Sequence, residues 1–446
     1  MLHMNQNARG SGVFINPKHA NGNGTVELVI GVDAGSTQTR VAIADANDYT
    51  TLMVLSDTEP AGAYQFLTQG SYIIPSSFAL VADEREIKPC SDNLEHNYDS
   101  RVIRVKTKAV EPVVGSHRIV RGQKVKDATG LVQQSLDSST NKMDNQIFYL
   151  NVLDGIGYAL LQKYNGAIPR NVKIHLVLSV RPNELNHICQ TRMNDNFLGR
   201  FIFSWGGAEI NMDIVTADYT TEPEAQVNGT AAVFDLAAVV TGDEEKSALA
   251  DKINNSDSYI HIEGGGSSIG VEVIKNGNII NGCSKTFHLG GNYLTQVVAS
   301  RLRDTLGRTV TRESAQEAVV SCLLRNGRER DDVTEIVAEC KSQVGMDIME
   351  RLRHEVIGLS TDLSLRDMDF VTLGGRLFSD DDAGQSIGKY FARYLEQVSP
   401  NTDVIILQNS YIPQGNLIIG INKYDISGVV TQVNEQPVVV SEGDSK

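Results

Sequence analysis

Two stretches half the chain apart carry one pattern, and it constrains the fold more than any other feature of the sequence. Residues 28–46 read LVIGVDAGSTQTRVAIADA and residues 258–277 read SYIHIEGGGSSIGVEVIKNG. In each, an apolar strand ends in an acid, a turn of Gly, Ser or Thr follows, and an alternating strand leaves it. With Asp33 set on Glu263, Gly35 falls on Gly265, Thr37 on Ser267, Val41 on Val271 and Ile43 on Val273. Glycine at a hairpin turn supplies positive φ and needs no further reason. A two-residue turn, however, needs one or two glycines, not three followed by two hydroxyls. A loop without side chains presents backbone N–H groups that can cradle phosphate. A neighbouring carboxylate can hold Mg2+, directly or through water. Two such hairpins point to a duplicated domain with a phosphate clamp between its halves.

The chain has 446 residues, too many for one ordinary core, so two or more domains are expected. Its 41% hydrophobic and 21% charged residues are those of a globular protein. A formal charge of −15 argues against direct binding to DNA or acidic membranes over the whole surface. Cys90, Cys189, Cys283, Cys322 and Cys340 are scattered and include no C-x-x-C, so neither a zinc site nor a disulfide framework is indicated, and a reducing, cytoplasmic setting fits. No apolar stretch approaches the roughly 20 residues of a membrane span. Residues 1–25, rich in Asn, Gly and His, read as a disordered extension, and 428–446 as an acidic tail.

Strand signals dominate 27–80 and 101–122. A helix is expected over about 144–164, with Ile147, Leu150, Leu153, Ile156, Leu160 and Leu161 on one face. NVKIHLVLSV is a buried strand, and 222–240 an Ala/Val helix. Helices are expected at about 292–304, 311–325, 331–357 and 382–397, and FVTLGG is a strand entering a turn. DVIILQ and LIIGINKY close the chain as strands. The order fits two α/β halves: 26–240 joined by 371–427, with a β-rich insertion at about 60–130, and 241–370, with a helical insertion at about 305–360.

Four segments together resemble the superfamily of actin, sugar-kinase and heat-shock-chaperone ATPases. GVDAGSTQT is similar to its first phosphate loop, TEPEAQVNG to its connecting helix, IEGGGSSIGV to its second phosphate loop and FVTLGGRLF to its adenosine loop. They follow the family's order across about 25–425. YIIPSSFAL and the spacing of the second loop are most similar to ParM-type bacterial actins, which segregate plasmids. HLGG at 288–291 is similar to a chaperone segment. The resemblance implies duplicated actin-like (ribonuclease H-like) α/β domains facing a nucleotide cleft. It also implies binding of ATP or GTP with Mg2+, hydrolysis coupled to assembly into filaments, and a DNA-bound adaptor protein as partner.

Carried onto this chain, the resemblance assigns Asp33 and Glu263 to Mg2+. Gly35, Ser36, Thr37, Gln38, Thr39 and Arg40 meet the phosphates from one side, and Gly264, Gly265, Gly266, Ser267 and Ser268 from the other. Gly374, Gly375 and Arg376 meet the adenosine. Glu222 orients the lytic water, with Glu224 as the other candidate. Pro223 favours a first helical turn there, where the helix dipole also favours an acid. The chain departs from the family in having Glu rather than Asp at 263, and Gly270 where an acid is usual.

Phosphoryl transfer of this kind needs positioning and charge neutralisation, not a nucleophilic side chain. No G-x-x-x-x-G-K-[ST] occurs, which argues against a P-loop enzyme. The basic stretch 101–126 is a solvated hairpin or a contact surface for an acidic face of the next subunit or for a partner. The competing readings are a small-molecule kinase of sugar-kinase type and a non-polymerising, chaperone-like ATPase. An activator of a radical enzyme would need an iron–sulfur cysteine pair, which is missing.

Overall fold

The two hairpins form, and each opens a sheet of the same plan. β1 (Thr25–Ala34) and β2 (Gln38–Asp45) run antiparallel, with Asp33 opposite Arg40. The computed structural model describes residues 25–36, 38–45, 72–76, 78–82, 99–106, 109–112, 117–121, 133–134, 141–164, 169, 171–205, 208–280, 282–359, 363–381, 383–407 and 409–424. The extension before Thr25, the tail at 428–446, Thr37, Cys90 and much of the insertion at about 60–130 lie outside the described residues.

The first half continues with β3 (Tyr72–Pro75), β4 (Phe78–Ala82), β5 (Asp99–Lys106), β6 (Ala109–Pro112), β7 (His117–Arg121) and β8 (Gln133–Gln134). Then come α1 (Gln146–Lys163), β9 (Asn171–Val180), α2 (His187–Phe197), β10 (Gly199–Trp205), β11 (Ala208–Thr221), α3 (Glu222–Thr241) and α4 (Glu244–Asn255). Its sheet runs β3-β2-β1-β9-β11-β10-β5-β7-β4-β8, with β6 on β5. The basic stretch therefore supplies strands of this sheet, while its side chains lie outside what is described.

The second half holds β12 (Tyr259–Gly264), β13 (Ile269–Lys275), β14 (Asn278–Ile279), β15 (Lys285–Phe287), α5 (Gly291–Leu306) and α6 (Arg312–Ser321). It continues through β16 (Leu323–Asn326), β17 (Glu329–Asp332), α7 (Thr334–Arg351), β18 (Phe370–Gly374), α8 (Ile387–Val398), β19 (Asp403–Ile406) and α9 (Ile412–Lys423). Its sheet runs β14-β13-β12-β18-β19, with β15 also on β13.

The duplication read from the hairpins extends to topology. In the first half β3, β2 and β1 pair antiparallel, and β1, β9 and β11 pair parallel. In the second half β14, β13 and β12 pair antiparallel, and β12, β18 and β19 pair parallel. Parallel strands need cover on both faces, which is why they read as near-continuous apolar runs. Leu28, Ile30 and Val32 pack with Ile174, Leu176 and Leu178 under Phe148, Leu153 and Ile156 of α1. Ile260, Ile262, Val271 and Val273 pack in the second core with Val337, Val344 and Ile348 of α7 and Phe391 of α8.

The helix after the fifth strand of each motif crosses to the other half. α3 leaves β11 and packs on β12 and β13, whereas α9 follows β19 and packs on α3 and β1. The segment 371–427, expected to complete the first half as one piece, is therefore divided. β18, α8 and β19 belong to the second half, and only α9 returns to the first.

LIIGINKY is helix, not strand. A short apolar run is ambiguous between a buried strand and a buried helix. Here Pro413 stands in the first turn, and Leu417 and Ile418 are buried. Gly415 brings α9 to backbone contact with α3: a Cβ there would stand 1.7 Å from the Ala225 carbonyl oxygen. The helix expected over 311–325 stops at Ser321, where Cys322 takes φ 57°, and the β16–β17 hairpin turns at Gly327–Arg328. The helix expected over 331–357 is regular only to Arg351 and ends in a wider π-helical turn at Leu352–Val356.

Candidate functional site

The two hairpin turns are closed by equivalent hydrogen bonds. The Gly35 N–H donates to the Gln38 carbonyl at 3.0 Å, and the Gly265 N–H donates to the Ser268 carbonyl at 2.9 Å. Each acid ends its strand opposite the residue seven positions on, Asp33 opposite Arg40 and Glu263 opposite Gly270. The difference at the second place has a local cause. Gly270 lies under the first half, where a Cβ would stand 3.3 Å from Pro182 and 3.6 Å from Pro223.

The residues of the first turn do not all face the same way. Arg40 reaches back, with Nη1 3.8 Å from Asp33 Oδ2 and Nη2 donating to Gln38 Oε1 at 3.2 Å. Ser36 is half-buried. Thr39, expected to meet phosphate, is fully buried, and its hydroxyl pairs with Ser76 Oγ at 3.0 Å. That bond ties β2 to the residue after β3 and takes Thr39 away from the cleft.

In the second turn Gly265 is exposed, and Gly266, Ser267 and Ser268 are half-buried. Gly264 is buried in the strand end, where a Cβ would meet Leu377 and Phe378 at 2.7 Å. The turn is braced from behind by the segment HLGG. The N–H groups of Gly291 and Asn292 donate to the carbonyls of Gly265 and Gly266 at 3.0 and 2.7 Å. Gly374 and Gly375, expected at the adenosine, are buried against the Glu263 carboxylate, and Arg376 is exposed just beyond them.

Asp33, Glu263 and Glu222 form one electrostatic cluster. Burial is the first cause raising the Asp33 carboxyl above its ordinary range. Lys142 and Arg40 oppose that rise, and Glu222 adds to it. Glu263 is pushed well above the ordinary range by burial, then by the charges of Asp33 and Glu222, with Arg40 opposing. The equivalent acids of the two repeats and the first residue of α3 thus feel one another across the junction of the halves. Buried carboxylates in this relation are a donor set whose mutual repulsion a cation relieves. Among the described residues, no three His, Cys, Asp or Glu side chains are gathered closely enough to ligate one ion by themselves.

The geometry separates Glu222 from Glu224. Glu224 is engaged in capping its own helix: its N–H donates to Thr221 Oγ1 at 3.1 Å, and its carboxylate accepts from the Thr220 hydroxyl. Its charge acts on Tyr259 and Glu272, whereas the charge of Glu222 acts on Asp33 and Glu263.

Three features escaped the sequence reading. Lys142, 2% exposed, donates from Nζ to Glu222 Oε1. His261 Nδ1 lies 2.5 Å from Thr372 Oγ1, with Nε2 3.4 Å from Glu263 Oε2. Burial lowers that imidazole to about 3, so it faces Glu263 as a neutral group. Glu272, 1% exposed, lies with its two oxygens 2.8 and 2.9 Å from Thr221 Oγ1, and burial pushes its carboxyl up to about 8. Because Thr221 caps α3 and Glu272 sits in β13, this contact joins the two halves at the base of the cluster.

No protein-family model matches the sequence, and no curated protein matches it. Solved structures do match in fold. An archaeal actin homolog, Ta0583, is 12% identical over 89% of this chain and 99% of its own, with a TM-score of 0.57. The apo ParM protein of pSK41 is 10% identical over 91% of this chain and all of its own, with a TM-score of 0.56. Bacillus thuringiensis ParM with ATP is 12% identical over 89% of this chain and 99% of its own, with a TM-score of 0.52. The chain has the actin-like fold. Among the described residues no helix is long and apolar enough to cross a membrane.

Proposed function

We propose that this protein is a filament-forming, actin-like ATPase that binds a nucleoside triphosphate, ATP or GTP, between its two turns and hydrolyses it. The observation that carries the reading is the pairing of two equivalent turns whose acids, Asp33 and Glu263, share one electrostatic cluster with Glu222. Backbone N–H groups and the hydroxyls of Ser36, Ser267 and Ser268 hold the phosphates. Asp33 and Glu263 would hold Mg2+, which would supply neutralising charge to the phosphate oxygens. Glu222, at the first position of α3, orients the attacking water. Gly374, Gly375 and Arg376 approach the adenosine. ATP in the Bacillus thuringiensis ParM structure of the same fold supports the nucleotide.

In this reading the protein acts in the cytoplasm, associates with copies of itself, and positions plasmid or other DNA through a DNA-bound adaptor. It does not contact DNA directly, in keeping with its formal charge of −15. Electron microscopy of the purified protein tests this. Filaments are expected with Mg-ATP or Mg-GTP and not without nucleotide, and single particles under every condition would favour a kinase or a chaperone-like ATPase.

A further inference from the structure

Lys142 lies in NKMDN, a stretch with no motif, yet it is among the most buried charged residues of the first half. Its place is built from several sides. Asn141 caps the short 3-10 turn Lys142–Asp144 by accepting from the Met143 N–H at 2.9 Å. The Lys142 N–H donates to Glu184 Oε1 at 3.0 Å, and Glu184 is held in turn by the Arg181 N–H at 3.1 Å and guanidinium at 3.4 Å. The side chain then runs inward past Phe148, with Nζ 5.4 Å from the ring centroid. It ends between the Ser179 carbonyl, at 3.4 Å, and Glu222 Oε1.

Burying an ammonium is costly unless it is paired and hydrogen-bonded. Here the ammonium fastens the first residue of α3 to the end of β9, which lies beside β1 and so beside Asp33. It takes one oxygen of Glu222, and Oε2 makes no hydrogen bond among the described residues. A carboxylate gripped by one oxygen and open at the other is suited to hold a water in one direction.

We propose that Lys142 is a positioning residue for hydrolysis, fixing Glu222 so that its second oxygen faces the attacking water. This rests on the reading of Glu222 given above. A purely structural ion pair would cost stability when broken but would not act on turnover through Glu222. A positioning role lowers kcat, spares KM, is restored by another cation, and vanishes once the Glu222 carboxylate is gone.

The test is steady-state phosphate release from Mg-ATP by the full-length protein and four variants. Lys142→Met should lower kcat by about thirtyfold with KM changed by no more than about threefold, and Lys142→Arg should recover most of the loss. Lys142→Met/Glu222→Gln should be no slower than Glu222→Gln. That double variant leaves no buried charge unpaired, so the comparison holds even where Lys142→Met does not fold. A double variant slower than Glu222→Gln by the full effect of Lys142→Met would overturn the proposal. So would wild-type kcat in Lys142→Met alongside a crippled Glu222→Gln, and that result would leave the nucleotide reading intact. Wild-type turnover in Glu222→Gln would overturn the reading of the site and the role of Lys142 with it.

Discussion

Gly374 lies against the Glu263 carboxylate so closely that a Cβ on it would stand 2.4 Å from Oε2, and one on Gly375, where φ is 87°, would stand 2.5 Å from Oε1. The second acid of the repeat and the Gly-Gly turn of β18 therefore depend on one another. Gly374 is small because a carboxylate fills the space beside it, and Gly375 also because a Cβ there would stand 2.4 Å from the Gly264 carbonyl oxygen.

Gly374→Ala should destabilise the fold by about 1–3 kcal/mol, the usual cost of forcing an added methyl into a packed site. In a Glu263→Ala background the same substitution should cost much less, because the carboxylate it collides with is gone. Urea unfolding of the two single variants, the double variant and wild type measures the coupling. Equal costs in both backgrounds would show that the contact does not constrain Gly374.

Glu222→Ala should retain nucleotide binding but lower phosphate release at least tenfold, about 1.4 kcal/mol of barrier. A group that orients the attacking water contributes more to the transition state than to the bound ground state. Filaments formed by this variant should persist longer than those of wild type. Nucleotide affinity from fluorescence titration and phosphate release, measured on the same preparation, separate the two effects.

Glu272 should make stability fall with pH. Its carboxyl lies at about 8 in the folded protein against 4.5 ordinarily. Between those values the folded chain keeps a proton that the unfolded chain has released, so stability drops as pH rises from about 4.5 to about 8 and levels off above. Glu272→Gln keeps an acceptor for Thr221 and removes the proton. Its Tm should match wild type near pH 5 and exceed it by about 3 °C or more at pH 8.5. Taking the difference between the two proteins cancels the other buried groups. A difference in Tm that does not change with pH would mean that Glu272 is ionised throughout.

The hairpins were legible because all their determinants are local: a strand, an acid, a glycine turn and a returning strand lie within twenty residues. The topological repeat then follows from where each hairpin is placed. Glu222 was visible through Pro223 and was favoured over Glu224, but the sequence did not show the different surroundings of the two acids. Residues two apart on a helix face different ways, and the structure sets Glu222 near Asp33 and Glu263 and Glu224 near Glu272. Lys142 carried no local signal, since its partner Glu222 is 80 positions away. Glu272 read as one polar residue of an alternating strand, and its partner Thr221 is 51 positions away. LIIGINKY was misread because apolar character alone does not distinguish a strand covered on both faces from a helix covered all round. The Gly327–Arg328 turn, by contrast, carries the glycine of a two-residue hairpin, a signal that the helical pattern on either side obscured.

The central claim, that one triphosphate held between the two turns drives assembly and is then hydrolysed, is tested most directly by light scattering and phosphate release recorded together after mixing the purified protein with Mg-ATP or Mg-GTP. Scattering should rise on addition of nucleotide, phosphate release should accompany assembly, and Glu222→Ala should assemble while releasing phosphate slowly. Unchanged scattering at high protein concentration with every nucleotide would contradict the claim.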